Sequence, residues 1–107
     1  MDDFNQIEIP ESFVALFIEP GRSKPNATRA TIAARYEFCE DLANHLVEYG
    51  RAQHFDLGIT EADVLERVLI GLMQPASGVN EAEAHWVVRR LAELEDWAWP
   101  EPPLTPP

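Results

Sequence analysis

Apolar residues recur at steps of three and four along residues 28 to about 54, a stretch without proline that only Gly50 interrupts. The stripe consists of Ile32, Tyr36, Cys39, Ala43 and Leu46, and Leu42, Val47 and Tyr49 widen it. This spacing places apolar side chains on one face of an α-helix. We therefore predict a long central helix that is capped by Asn26 or Thr28, ends before Gly58 and supports two shorter helices.

The two shorter helices show the same period. The first is predicted to begin at Thr60, where Asp63 completes a sequence that resembles a capping box. Its apolar face comprises Val64, Leu65, Val68, Leu69, Leu72 and Met73. The second is predicted to begin at Asn80, with Glu83 completing a capping box. Its apolar face comprises Ala84, Val87, Val88, Leu91, Leu94 and Ala98, flanked by Trp86 and Trp97.

The apolar run at residues 13–18 is ambiguous by pattern. A run this short is typical of either a buried strand or a buried helix. Pro10 and Glu11 precede it, and both residue types suit the first turn of a helix. Since no second convincing strand is available for pairing, we predict a short helix from residue 11 to about residue 17.

Together these segments predict an all-α fold, an antiparallel three-helix bundle with a short N-terminal helix. We expect a flexible N-terminus at residues 1–9 and one helical bundle domain at residues 10–98. Residues 99–107 are expected to form a disordered proline-rich tail, because five of the eight residues after Trp99 are proline, which lacks the backbone N–H that a helix or strand needs.

Charge narrows the classes of partner. The formal net charge is −11, from 19 acidic residues against 8 lysines and arginines. Because such a chain repels phosphates, we expect neither nucleic acid nor an anionic membrane as a partner, and a protein with a basic surface is favoured.

Three features of the sequence indicate the cellular compartment of the protein. The longest apolar run, residues 13–18, is far below the ~20 residues that span a bilayer. The N-terminal sequence lacks the basic segment and apolar core of a secretory signal. The single cysteine, Cys39, allows no internal disulfide and suits a reducing compartment. A cytoplasmic protein is expected.

The most distinctive chemistry is a basic segment. No acidic residue lies between Pro20 and Tyr36, yet half of the basic residues do, namely Arg22, Lys24, Arg29 and Arg35. Such side chains beside the free N–H groups of a helix start suit a small anion, a nucleotide phosphate or an acidic peptide. The alternative is that they lie over carboxylates of neighbouring helices or reach solvent. These four residues are our candidate anion-binding or partner-binding site.

No catalytic residue, metal site or cofactor is predicted. The sequence at residues 21–25, GRSKP, has one glycine and a proline where a phosphate-binding loop needs backbone donors. The histidines His45, His54 and His85 lack the spacing of a metal motif, and ion pairing with nearby acids is the simpler interpretation. Cys39 lies in the apolar stripe and is interpreted as a core residue rather than a nucleophile.

Two aromatic residues, Trp97 and Trp99, end the last predicted helix beside the proline-rich tail. Exposed tryptophans often anchor interfaces, which makes both residues candidates for partner binding. They could equally fold back over the end of the bundle and close its core.

The segments IPESFVALFIEPGR, ITEADVLERVLIGLM and VNEAEAHWVVRRLAELEDW span most of residues 9–97. This stretch resembles a group of small, acidic, uncharacterised bacterial helical proteins, some of which carry the label "ATPase with chaperone activity". The resemblance rests on overall pattern rather than on a catalytic motif. It implies a bacterial cytoplasmic protein that assists protein quality control, and it transfers no site residue to this chain.

Our first functional hypothesis is a non-enzymatic protein–protein interaction module, an adaptor or chaperone-like accessory protein. The alternative is a sensor of a small anion or nucleotide that uses the basic segment. Mimicry of DNA by the acidic faces is a third alternative.

Overall fold

The computed structural model describes residues 8–98, and this part of the chain is helical without a strand. The helices are α1 (Glu11–Val14), α2 (Arg29–Leu57), α3 (Glu61–Leu72) and α4 (Glu81–Glu95). A 3₁₀ turn, Ala15–Phe17, extends α1, and another, Pro75–Ser77, lies between α3 and α4. Residues 1–7 of the expected N-terminus and the expected tail at 99–107 lie outside this part. The prediction of an all-α protein is confirmed for the described chain.

Helix α2 begins and ends where its sequence signals lie. The cap is Thr28 rather than Asn26, because the Thr28 side chain accepts a hydrogen bond from the Thr31 N–H at 3.1 Å. Gly58 ends the helix in the left-handed conformation, with φ of 66°, and its N–H donates to the carbonyl of His54. A residue without Cβ adopts this conformation at little cost, so Gly58 fixes the exit from α2.

Helices α3 and α4 also start at their predicted caps. The Thr60 side chain accepts from the Asp63 N–H, and Asn80 and Glu83 form the predicted reciprocal capping box. The end of α4 differs from the prediction. Asp96 turns left-handed there with φ of 62°. Ala98 therefore lies beyond the helix and is exposed, instead of lying on its apolar face.

The core forms where α2, α3 and α4 meet, since each of the three contacts the other two. Its members are apolar side chains at the predicted helical spacing. They include Ile32, Cys39 and Ala43 from α2, Val64, Leu65, Val68 and Leu72 from α3, and Ala84, Val87, Val88 and Leu91 from α4. The apolar stripes in the sequence thus identify most of the buried residues. Met73 is an exception, because α3 ends at Leu72 and the Met73 side chain is 44% exposed.

The N-terminal segment closes one side of this core. Phe13 is fully buried and packs edge-on against Trp86, with 5.0 Å between ring centroids. The ring of Tyr36 lies within 6 Å of both. The Trp86 indole N–H donates to the Ser12 hydroxyl at 3.0 Å. The predicted short helix is therefore confirmed as α1 with its 3₁₀ extension, and it is anchored to α2 and α4.

Within residues 8–98, no helix combines the length and the hydrophobicity needed to cross a lipid bilayer.

Candidate functional site

Of the four basic candidates, Arg35 serves the fold. Its guanidinium donates to both carboxylate oxygens of Glu83, at 2.9 and 2.8 Å, and to the carbonyl of Gly78 at 2.8 Å. It also lies 4.9 Å above the centre of the Phe38 ring. These contacts join the first half of α2 to the start of α4, and they engage Nε and Nη2 of the guanidinium.

The Arg35–Glu83 pair is held in its charged form. Glu83 is only 3% exposed, and this burial alone would raise the pKa of its carboxyl. Hydrogen bonds from Arg35 and from the Asn80 N–H outweigh burial, and they hold that pKa below its ordinary value. The same bond raises the pKa of Arg35. A buried, paired carboxylate of this kind orders the helices rather than receiving a ligand.

Two other basic candidates do share a surface. Arg22 and Lys24 line a depression of about 450 Å³ in the loop before α2, together with Glu19 and Asn26. The Asn26 amide donates to Glu19 at 3.5 Å, so a carboxylate is part of this depression. Arg29 is the first residue of α2 and does not line it. The predicted four-residue site is thus divided between a loop surface and a helix contact.

The candidate acid–base and thiol groups have structural partners. The His45 Nδ1–H donates to the backbone carbonyl of Asp41 at 2.9 Å rather than to its carboxylate. Cys39 is fully buried, and burial, with the charge of Glu83 as the next cause, raises the pKa of its thiol to about 12. Cys39 is therefore a core residue, as predicted. Across the described residues, no three His, Cys, Asp or Glu side chains lie together as metal ligands would.

Trp97 is half-buried at the C-terminal end of α4. Its ring meets the imidazole of His54 edge-on, with 5.4 Å between centroids, and lies beside Gly50. It thus folds back onto α2. The other tryptophan candidate, Trp99, lies outside the described residues.

The most exposed large hydrophobic side chain of the described residues, Phe55, lies in the last turn of α2 beside a second exposed apolar residue, Leu57. Phe55 is 85% exposed and Leu57 is 52% exposed. Being two residues apart, they point about 200° away from each other around the helix axis. We call Phe55 and Leu57 the α2 tip. Because both sides of the tip are apolar, it has the form of a knob rather than a flat patch.

A cleft opens beside the α2 tip, where α2 ends and α3 begins. We call it the junction cleft; it has a volume of about 490 Å³ and is lined by His54, Thr60, Glu61, Ala62 and Ala98. The His54 Nδ1–H donates to the carbonyl of Ile59 at 2.7 Å, which fixes the orientation of the ring.

Neither the α2 tip nor the junction cleft was predicted from the sequence. A signal for the tip was present, because Phe55 falls off the apolar stripe of the central helix. A large aromatic residue out of phase with the buried face is expected in solvent. The cleft had no such signal, since its lining comes from the ends of three helices.

No protein-family model, curated protein or solved structure matches this chain. Every functional statement about it therefore rests on its own residues.

Proposed function

We propose that this chain is a non-enzymatic interaction module, an adaptor or chaperone-like accessory protein that binds another protein through the α2 tip. The observation that carries the proposal is the 85% exposure of Phe55. Full burial of such a side chain is favourable by about 1.5–3 kcal/mol. A partner that encloses the end of α2 would gain this free energy for Phe55 and part of it for Leu57.

The tip is favoured over the other exposed apolar residues. Ile70 and Met73, at the C-terminal end of α3, are exposed to 58% and 44%. Phe38 is 42% exposed, but the Arg35 guanidinium already lies over its ring. Phe55 is the most exposed large hydrophobic side chain of the described residues, well ahead of Tyr49 at 48%, and large aromatic anchors dominate binding energy at interfaces.

The arrangement that presents the tip is, in our proposal, an antiparallel three-helix bundle in the cytoplasm. The pairwise contacts of the three long helices and the three-residue connection at 58–60 support the antiparallel arrangement. The buried free thiol of Cys39 is consistent with a reducing compartment.

Site-specific photo-crosslinking tests the interaction. A photoreactive phenylalanine analogue at position 55 should trap a protein in stoichiometric yield, because the partner covers this side chain. The matched control is the same analogue at position 38, an exposed aromatic site on the same helix. Equal trapping at both positions, or none at position 55, would contradict binding through the tip.

A second candidate function is the sensing of a small anion through Arg22 and Lys24. It is supported by their shared depression and opposed by Glu19 in the same lining. Titration with phosphate and ATP, followed by NMR, separates it from the first. Shifts confined to residues 19–26 that disappear in Lys24→Gln would support it, and an unchanged spectrum at millimolar ligand would exclude it.

A further inference from the structure

The side chains that line the junction cleft offer mainly hydrogen-bond acceptors. Because a carbonyl oxygen only accepts, the bond to Ile59 places a proton on Nδ1 of His54, and Nε2 of the neutral ring is then an acceptor. Glu61 contributes a carboxylate and Thr60 a hydroxyl oxygen. None of the lining residues carries a permanent positive charge. The cleft therefore fits a group rich in donors.

The electrostatics of the cleft favour a cation. The C-terminal end of α2 and the N-terminal end of α3 carry opposite partial charges of roughly half an elementary charge each, so their effects at the junction largely cancel. The full negative charge of Glu61 then decides the sign of the potential. The acidic residues Asp56 and Asp63 lie close in sequence to the lining, and the chain as a whole carries a net charge of −11.

The chemistry of the lining suits a side chain with an apolar stem and a charged end. Ala62 and Ala98 offer small apolar surface next to the acceptors, and Leu57 lies about 60° from His54 around the axis of α2. Arginine combines an aliphatic stem with five N–H donors in a planar group, whereas lysine presents a compact charge with three donors.

We propose that the junction cleft binds an arginine side chain from a basic segment of the partner protein, while the α2 tip contacts apolar residues of the same segment. This inference rests on the proposed function and specifies the chemistry of the partner. Glu61 accepts from the guanidinium, and Nε2 of His54 provides a further acceptor. Such a charge-assisted contact gives specificity next to an apolar anchor.

The test uses the full chain labelled with ¹⁵N and three blocked peptides. The first is acetyl-Ser-Arg-Leu-Arg-Ser-amide, and the others carry citrulline or lysine in place of both arginines. Citrulline keeps the shape of arginine without its charge. We expect the arginine peptide to shift the amides of residues 54–62 and the ring nitrogens of His54. The citrulline peptide should leave them unchanged, and the lysine peptide should bind more weakly.

Two glutamates provide a matched pair of variants. Glu61 and Glu81 each follow the N-cap residue of a helix, so they have the same position relative to the helix dipole. Glu61→Gln should weaken binding of the arginine peptide by about tenfold, and Glu81→Gln should leave it unchanged. Equal weakening by both variants would show attraction by net charge alone and would overturn the proposal.

Other occupants of the cleft give distinct results, each of which overturns the proposal. Cleft resonances that move on dilution without peptide indicate a second copy of this chain. Resonances that move in Trp99→Ala but not with any peptide indicate the chain's own C-terminal segment. Equal binding of the arginine and citrulline peptides would indicate an apolar ligand. Equal binding of the arginine and lysine peptides would show that the cleft binds positive charge without a preference for arginine.

The two proposals fail separately. Trapping of a protein at position 55 without any arginine-dependent shift would leave the interaction module standing and overturn the arginine site. An arginine-dependent shift that Glu61→Gln abolishes, without trapping at position 55, would support the cleft and overturn the tip as the binding surface.

Discussion

The first half of α2 and its last turn differ in how far their large side chains are paired or exposed. In its first half, two ion pairs join α2 to α4, Arg35 with Glu83 and Glu40 with Arg90. In its last turn, Phe55 and Leu57 remain in solvent, and Glu61 makes no ion pair with any described residue. The last turn of α2 thus carries the most exposed apolar side chain of the described residues, Phe55.

The two regions contribute to different properties. The α2–α4 contact stabilises the fold, whereas the α2 tip and the junction cleft are the surfaces that we propose for recognition. At the α2–α4 contact, hydrogen bonds from Arg90 lower the pKa of Glu40, as those from Arg35 do for Glu83. These pairs fix how the helices cross.

Phe55 and Leu57 at the α2 tip are exposed, and Glu61 in the junction cleft makes no ion pair with a described residue. Substitutions of these three residues should alter binding with little effect on folding, whereas His54 and Thr60 also make hydrogen bonds within the fold.

The largest expected effect on stability comes from the core beneath α1. Phe13→Ala should lower the free energy of unfolding by about 3–5 kcal/mol, because it removes a fully buried ring that contacts Trp86 and Tyr36. Phe55→Ala is the matched control and should change it by less than about 0.5 kcal/mol. Urea unfolding followed by circular dichroism measures both. Comparable losses would mean that the tip is part of the core.

The next effect concerns the α2–α4 contact. Arg35→Ala should lower the free energy of unfolding by about 2–4 kcal/mol, because it leaves the buried carboxylate of Glu83 without its cationic partner. Arg67→Ala, at an exposed position on α3, should cost less than about 0.5 kcal/mol. The same unfolding measurement applies. A small effect of Arg35→Ala would show that the pair is dispensable for the crossing of α2 and α4.

Acidic pH should lower the free energy of unfolding, because it protonates the carboxylates of the same two ion pairs. The folded-state pKa values of Glu40 and Glu83 lie below the value of about 4.5 that an unpaired glutamate has. Their contribution to stability is therefore fully present above pH 4.5 and is lost as the pH falls through the lowered values. Unfolding free energies measured across this range should fall with pH, and less steeply in Glu83→Gln. An identical slope in that variant would exclude Glu83 as a cause.

The smallest effect has the opposite sign. Gly50 lies within α2, where glycine costs about 1 kcal/mol relative to alanine. A Cβ there would lie 3.5 Å from Glu95 Oε2 and 3.8 Å from a Val64 methyl group, which are ordinary contact distances. Gly50→Ala should therefore raise the free energy of unfolding by about 0.5–1 kcal/mol. A loss of stability would show that α2 and α4 cannot accommodate one methyl group at this point.

The sequence alone was sufficient to predict those helix boundaries that depend on neighbouring residues. Caps at Thr60 and Asn80 and the stop at Gly58 each depend on a few neighbouring residues, and the structure confirms them. The left-handed Asp96 was missed because glycine is the usual signal for that conformation. The resulting early end of α4 is what places Ala98 in the junction cleft.

Contacts between distant residues were beyond the reach of pattern reasoning. Arg35 looked available in the sequence, and only the fold brings Glu83 to it across 48 positions. The Phe13–Tyr36–Trp86 cluster likewise joins three elements. The junction cleft has the same origin, since His54, Glu61 and Ala98 come together only when the three helix ends meet.

The most direct test of the account is the affinity of the protein trapped at position 55 for three forms of this chain. Calorimetry with the wild type, Phe55→Ala and the matched control Phe38→Ala compares two exposed aromatic residues on one helix. We predict that Phe55→Ala weakens binding at least about tenfold, while Phe38→Ala leaves it unchanged. Equal affinities for the wild type and Phe55→Ala would contradict recognition through the α2 tip.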